Sequence, residues 1–140
     1  MKVFLDTWAW LTLRDRREAN HQKITSLLNQ FRSNRDALYT TDYILVETYT
    51  FFFSRLPVTL AQASINFVEE SITGGFINLM WMTPERFERT KQLRLKYIDK
   101  PRISFTDLSS MAVMTELGIQ TILTGDDHFN QVGLGFQVMP

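Results

Sequence analysis

The sequence contains no cysteine. This absence excludes disulfide bonds, a thiolate nucleophile and zinc sites with cysteine ligands, and it is typical of proteins in a reducing cytosol. No apolar run approaches the ~20 residues needed to span a bilayer. The first apolar run ends at Asp6, and the charged segment Arg14–Glu18 stands where a signal peptide needs small residues. We therefore expect a cytoplasmic protein with no membrane segment, whose first residues form a buried strand.

Several catalytic motifs are absent as well. The chain has no G-x-S-x-G, no G-x-G-x-x-G and no G-x-x-x-x-G-K-[ST] sequence, so nucleophile-elbow hydrolases, dinucleotide-binding enzymes and P-loop NTPases are disfavoured. Only His21 and His128 could supply a histidine-pair ribonuclease mechanism, which needs both at one phosphate. A phosphoaspartyl enzyme needs an acid two residues after Asp6, where Trp8 stands. Phosphoryl transfer from Asp6 remains only a third hypothesis.

The chain has no net charge, because 15 Lys and Arg balance 15 Asp and Glu. It therefore lacks the global basic signature of nucleic-acid-binding proteins. Two segments are nevertheless basic: 86–102 has seven basic residues against two acidic ones, and 14–35 has six against two. These segments are either solvated helix faces or phosphate-attracting rims around an acidic site.

The length of 140 residues predicts a single domain over 1–140. Apolar periodicity predicts the order β-α-α-β-α-α-β-α-α-β-β, which indicates an α/β protein with a mainly parallel sheet covered on both sides. The predicted strands are Lys2–Asp6, Ala37–Thr40, Phe76–Met82, Gln120–Leu123 and Phe136–Met139.

Capping residues and helix breakers place the helices. Thr83 and Pro84 are typical of a helix start, and Gly118 is typical of a helix end. Helices are predicted from Thr7, over His21–Arg32, Tyr43–Arg55, Thr59–Ile72 and Thr83–Tyr97, and from a cap at Ser104 or Thr106 to Leu117. The segment 124–130 is predicted to be a polar turn. The Phe51–Phe53 run is expected either to pack in the core or to form a partner contact.

Four acids lie at defined positions relative to the predicted strands and helices. Asp6 and Asp126 follow strands, Asp107 lies in the first turn of a helix, and Glu47 lies on the helix after the second strand. In an open parallel sheet, ligands bind outside the carboxyl ends of the strands. Carboxylates that converge there without Lys or Arg partners repel one another unless they hold a hard cation such as Mg²⁺ or Mn²⁺.

Each acid also has a purely structural interpretation. Asp6 can cap the following turn, Asp107 can favour the helix macrodipole, and Glu47 can face solvent. Asp126 and Asp127 form a natural turn pair. The spacing of these residues leaves both interpretations open.

Four segments together resemble the acidic motifs of PIN-domain nucleases, and most closely those of VapC-type toxins from toxin–antitoxin pairs. They are Phe4-Leu5-Asp6-Thr7, Tyr43-Ile44-Leu45-Val46-Glu47-Thr48, Ser104-Phe105-Thr106-Asp107 and Thr124-Gly125-Asp126-Asp127-His128-Phe129. The resemblance covers nearly the whole chain. It implies a three-layer α/β/α fold, a Mg²⁺- or Mn²⁺-dependent endoribonuclease, a homodimer and an antitoxin partner.

The resemblance also assigns roles. Catalysis and metal binding fall to the four acids, namely Asp6, Glu47, Asp107 and Asp126. Four polar residues would orient carboxylates or a bound water: Thr7, Ser104, Thr106 and Thr124. A shift of the loop by one residue would exchange the roles of Asp126 and Asp127. RNA phosphates would contact Arg94, Lys100 and Arg102.

The favoured hypothesis is an endoribonuclease that uses an activated water, which leaves a 5′-phosphate and a 3′-hydroxyl. The alternative is a non-catalytic PIN-like module that binds RNA or protein. The presence of all four acids favours the enzyme.

Overall fold

A computed structural model describes residues 1–140 and contains five strands and seven helices. The strands are β1 (Lys2–Leu5), β2 (Ala37–Thr41), β3 (Ile77–Met80), β4 (Thr121–Leu123) and β5 (Gln137–Met139). The helices are α1 (Thr7–Arg14), α2 (His21–Ser33), α3 (Asp42–Arg55), α4 (Val58–Thr73), α5 (Pro84–Lys96), α6 (Phe105–Leu117) and α7 (His128–Gln131). None of these helices has the length and hydrophobicity of a membrane span.

The strands form one parallel sheet in the order β3-β2-β1-β4-β5. In its centre, Phe4 of β1 is paired with Tyr39 on one side and Ile122 on the other. The chain runs outward from β1 to β3 and then returns to the other side of β1. Because parallel crossovers are right-handed, this reversal places helices on both faces of the sheet. The predicted three-layer α/β/α fold is confirmed, and every strand pair is parallel.

Burial follows from this arrangement. The β1 residues Val3, Phe4 and Leu5 are completely buried, because helices cover both faces of the central strand. Helix α6 is buried along most of its length, including Leu108 and Met111. The carboxyl ends of β1 and β4 lie side by side where the strand order reverses, which is the usual ligand-binding edge of such sheets.

Local signals explain most element boundaries. Ser104, not Thr106, caps α6, with its Oγ accepting from the Asp107 N–H at 3.0 Å. Thr41 caps α3, which therefore begins at Asp42, one residue before the predicted start. Helix α4 begins at Val58, directly after Pro57, and not at a Thr59 cap.

The prediction of a turn over 124–130 is wrong at its end, where α7 forms. Phe129 in this short helix is buried in the core and packs edge-on against Phe136, with ring centroids 6.1 Å apart. Four residues are too few for a periodic signal, so burial of this ring, rather than local propensity, accounts for the helix.

Candidate active site

The four predicted acids line one cavity of about 520 Å³ at the carboxyl edge of the sheet. Asp6 directly follows β1, and Asp126 lies in the loop after β4. Glu47 projects from the middle of α3, and Asp107 from the first turn of α6. Four segments that are remote in sequence thus bring the four predicted acids to the same cavity, and Asp127 lines it as well.

Asp6 is held from two sides. Its Oδ1 accepts from the Thr7 N–H at 2.9 Å and caps α1, while its Oδ2 accepts from the Thr124 hydroxyl at 2.7 Å. The side chain is almost fully buried, and burial raises its pKa from 3.8 to about 7. The charges of Asp107 and Glu47 raise this pKa further, whereas the two hydrogen bonds oppose the change. The Asp6 carboxylate therefore caps α1 and also lines the cavity.

Glu47 is oriented by the first residue of α1. The Thr7 hydroxyl donates to Glu47 Oε2 at 3.0 Å, which links α1 to α3 across the cavity. Glu47 is half-buried and not directed into open solvent. A mid-helix glutamate is thereby brought to the site by a partner that is 40 positions away in the sequence.

Asp107 and Asp126 meet at an imidazole. His128 Nδ1 lies 2.9 Å from Asp107 Oδ2 and 3.0 Å from Asp126 Oδ2. Since an ionised carboxylate only accepts, Nδ1 carries the proton and donates to Asp107 Oδ2, with Asp126 Oδ2 beside it. Burial raises the pKa of Asp107, the neighbouring charges of Asp126 and Glu47 add to that increase, and the hydrogen bond from His128 lowers it.

Asp126, and not Asp127, belongs to this group of side chains. Asp126 Oδ1 accepts from the His128 N–H at 2.9 Å, so its carboxylate turns back over the start of α7. Asp127 Oδ1 instead accepts from the Asn130 side chain at 2.8 Å. The Thr124 hydroxyl also accepts from the Asp126 N–H at 3.1 Å, which fixes the loop relative to β4.

The predicted supporting residues divide into two groups. Thr7, Ser104 and Thr124 line the cavity, and each forms a hydrogen bond to an acidic residue. Thr106 does not line it; its carbonyl accepts from the Ser109 hydroxyl within α6. Its predicted role is not supported by a contact.

The predicted RNA-binding cations lie outside this cavity. The Arg94 guanidinium donates to the carbonyls of Tyr97, Lys100 and Ile103 and so holds the chain between α5 and α6. The Lys100 ammonium is paired with Asp99 at 3.0 Å. Arg102 is exposed. Their contact with RNA stays a prediction.

Sequence reasoning missed three features of the site. It considered His128 for a histidine-pair mechanism and did not predict a contact with the acids, although the residue stands two positions after Asp126. It did not single out the close approach of Gly125 to Trp8, where an added Cβ would lie 2.6 Å from the indole nitrogen. It also overlooked Arg55, a cavity-lining cation that follows Glu47 by two helical turns. The spacing of eight residues is a signal that could have found it.

The cavity fits a divalent cation. None of the four acids forms an ion pair with Lys or Arg, and only His128 lies within 4.0 Å to offset their charge. Asp107, Asp126 and His128 can each offer a ligand atom within 4.8 Å of the other two. Hard oxygen donors in this number are typical of Mg²⁺ and Mn²⁺ sites, and a cation relieves the mutual repulsion of the carboxylates.

Known structures share this fold. The chain is similar to the Mycobacterium tuberculosis VapC20 toxin, described as cleaving the sarcin–ricin loop, with a TM-score of 0.78 and 24% identity over 94% of this chain and 95% of that one. It is also similar to VapBC2 from Rickettsia felis bound to a promoter DNA fragment, with a TM-score of 0.71 and 12% identity over 99% and 98% of the two chains. A third similar structure is DNA-bound VapBC from Salmonella typhimurium, with a TM-score of 0.71 and 15% identity over 99% of this chain and 97% of that one.

By sequence, no curated protein is significantly similar to the chain. A family model describes the relationship more directly. The PIN domain model matches residues 3–134, a range that contains all four acids and their hydrogen-bonding partners. The chain therefore belongs to the PIN domain family, whose members are nucleases.

Proposed function

We propose that this protein is a Mg²⁺- or Mn²⁺-dependent endoribonuclease and the toxin of a toxin–antitoxin pair. The observation that carries the proposal is the convergence of Asp6, Glu47, Asp107 and Asp126 in one cavity without a Lys or Arg ion pair. Membership of a nuclease family and the likeness to VapC20 support the assignment.

The chemistry follows from the way each side chain is held. A divalent cation, when bound, supplies an activated water and neutralises charge on the phosphate. Thr124 and Thr7 fix the carboxylates of Asp6 and Glu47 by hydrogen bonds, so these groups need little reorganisation to bind. One of the carboxylates accepts a proton from the attacking water.

Attack by water, rather than by the ribose 2′-hydroxyl, predicts a 5′-phosphate and a 3′-hydroxyl on the products. These ends distinguish the proposal from a histidine-pair ribonuclease, which uses the 2′-hydroxyl. The two histidines also argue against that alternative: His21 Nδ1 lies 2.9 Å from the Thr12 carbonyl, beyond the far end of α1 from the acids, while His128 is at the acids.

We further propose an antitoxin protein as the inhibitory partner, a homodimer as the assembly and the cytoplasm as the location. The support comes from the solved VapBC complexes, whose toxin chains share this fold. Of the Phe51–Phe53 run, Phe52 is fully buried and Phe53 is half-exposed, so Phe53 is the aromatic ring available for a partner.

The test is cleavage of a structured RNA pool by the purified protein with Mg²⁺, with Mn²⁺ and with excess EDTA, beside the Asp107→Asn variant. Metal-dependent cuts that are missing in the variant, with 5′-phosphate ends, are the expected result. If cutting persists equally in Asp107→Asn or in EDTA, the metal assignment is wrong. If no RNA is cut, calorimetric titration with Mg²⁺ decides between a nuclease of narrow specificity and a binding module, because the latter would bind no metal.

A further inference from the structure

A second cavity lies beside the acidic one and is lined by cations. It has a volume of about 610 Å³ and is formed by the end of α1, the following loop, the start of α2 and the junction of α3 with α4. Its lining residues include Arg14, Arg16, Arg17 and His21, against one acid, Asp15. We call this cavity the arginine cleft.

The arginine cleft continues from the acidic cavity along two helices. Helices α1 and α3 run side by side, and both cavities lie along them. On α1, Leu11 lines the acidic cavity and Leu13, two residues later, lines the arginine cleft. At the end of α3, Arg55 lines the acidic cavity and the next residue, Leu56, lines the cleft. Arg17 Nη2 donates to the Arg55 carbonyl at 3.0 Å and ties the two helix ends together. A chain that leaves the acids along this groove would pass Arg55 and then enter the cleft.

The positive charge of the arginine cleft is largely uncompensated. Arg17 forms a two-pronged ion pair with Asp15, with N–O distances of 2.9 and 3.0 Å, so the one lining acid is engaged. Arg14, Arg16 and Arg55 form no ion pair. Burial and the charge of Arg16 lower the pKa of Arg14, which is the response of a cation without a counter-charge. Segment 86–102 differs, because Arg86 and Arg89 there are paired with Glu116.

Two of these guanidinium groups are pre-positioned on aromatic rings. Arg55 lies over Phe51 at 4.5 Å, and Arg14 lies over Phe67 at 4.6 Å. Arg14 Nε also donates to the buried Ser64 hydroxyl at 2.9 Å. The remaining guanidinium nitrogens of both residues are free to donate. Single-stranded nucleic acid binds to such groups, since a guanidinium can donate to a phosphate and its planar face can stack on a base.

We propose that the arginine cleft, with Arg55 at its entrance, binds the RNA strand on one side of the cleaved phosphate. The inference rests on the proposed ribonuclease function and adds to it the path of the substrate. It assigns the main phosphate contacts to Arg14, Arg16 and Arg55, which lie at the end of α1, in the loop that follows it and at the end of α3, rather than to segment 86–102.

The test is RNA binding, measured without cleavage. A fluorescent single-stranded RNA of about ten nucleotides is titrated in EDTA at several salt concentrations. The proteins are Asp107→Asn alone and the same protein carrying Arg16→Gln and Arg55→Gln. The matched control carries Lys23→Gln and Lys91→Gln, which also removes two charges but lies outside the cleft. Loss of two phosphate contacts is expected to weaken binding about 10- to 30-fold near 0.1 M salt and to reduce the salt slope by about 1.4.

The control is expected to bind as Asp107→Asn does. If the cleft variant binds RNA as tightly as the control with the same salt slope, the proposal is overturned, even where the wild-type protein cuts RNA. A titration with polyglutamate identifies the other kind of occupant. If polyglutamate binds as tightly as RNA, and if its affinity falls as much in the cleft variant, the cleft is a surface for an acidic protein segment. The RNA assignment then fails. Absence of any cleavage by the wild-type protein, with binding lost in the cleft variant, contradicts the nuclease proposal alone.

Discussion

The Asp6 carboxylate is uncharged over part of the pH range in which other aspartates are ionised. Its pKa is raised to about 7 in the fold, whereas in the unfolded chain it is near the ordinary 3.8. Between these values the unfolded chain binds fewer protons, so the free energy of unfolding falls as the pH rises from about 4 to about 7. Each unit of difference in pKa corresponds to about 1.4 kcal/mol.

Asp6→Asn is expected to remove this pH dependence. Asparagine retains one oxygen that can accept from the Thr7 N–H, so the cap of α1 survives while the titrating group is lost. In metal-free buffer the variant should be more stable than the wild type at pH 8 and closer to it at pH 4. Urea unfolding at both pH values measures the difference, and Glu70→Gln on the exposed side of α4 serves as control. If the free energy of unfolding changes equally with pH in Asp6→Asn and in the wild type, the raised pKa of Asp6 is contradicted.

Gly125 is fixed by its neighbour and not by its backbone angles. A Cβ atom there would lie 2.6 to 2.9 Å from three atoms of the Trp8 indole, so Gly125→Ala must displace either the ring or the loop that carries Asp126. We expect a loss of about 1 to 3 kcal/mol in the free energy of unfolding.

Removing the indole isolates this contact. On a Trp8→Ala background the same Gly125→Ala change should cost much less, because the space is then empty. Thermal or urea unfolding of the four proteins in this cycle measures the coupling. Equal costs on both backgrounds would show that the loop, rather than the ring, disfavours a side chain at Gly125.

At the scale of elements, the connection from α5 to α6 depends on one side chain. The Arg94 guanidinium donates to three backbone carbonyls, at Tyr97, Lys100 and Ile103, and satisfies acceptors that the turn leaves open. Lysine keeps the charge but cannot present donors in the same planar fork. Arg94→Lys is therefore expected to lower the free energy of unfolding by about 1 to 2 kcal/mol.

The comparison with Arg102→Lys separates a structural role from an RNA contact. Arg102 is exposed and forms no side-chain hydrogen bond in the structure, so its replacement should leave stability unchanged. Chemical denaturation measures both variants, and the RNA titration described above measures whether either loses affinity. A stable Arg94→Lys protein with weakened RNA binding would favour the phosphate contact over the structural role.

Helices and strands were largely predictable because their signals are local. In the sequence itself, the Thr83 cap with Pro84 marks the start of α5, and the left-handed Gly118 marks the end of α6. The start of α4 and the helix α7 were not predictable in this way. The start of α4 depends on which of several polar and proline residues ends the preceding turn. Helix α7 depends on the burial of Phe129, which is a tertiary effect.

At the scale of the whole molecule, the convergence of the four acids was predictable from the sequence, but its geometry was not. Parallel topology implies that Asp6 and Asp126 meet at one edge, and it says nothing about the partners that hold them. The bonds from Thr7 to Glu47 and from His128 to Asp107 join segments 40 and 21 residues apart, and no local pattern encodes such pairs. The arginine cleft has the same origin, since it forms where α1 ends beside α3.

The proposed metal site draws its ligands from the entire fold. A ligand that binds only the folded state raises the free energy of unfolding by about 2.7 kcal/mol at 100 times its dissociation constant. The unfolded chain separates the four acids, so Mg²⁺ or Mn²⁺ should raise the midpoint of thermal unfolding of the wild type, and EDTA should reverse the change. Asp107→Asn should lose most of this increase, because it removes a carboxylate from the Asp107, Asp126 and His128 group.

Asp127→Asn is the matched control, since this carboxylate accepts from Asn130 and not from the His128 ring. It should keep the full increase of the midpoint with metal, and Asp126→Asn should not. Tryptophan fluorescence follows the unfolding of each protein. A midpoint that rises equally in Asp107→Asn and wild type would mean that the ion binds elsewhere on the surface. A loss in Asp127→Asn but not in Asp126→Asn would mean that the loop turns the other aspartate toward the metal.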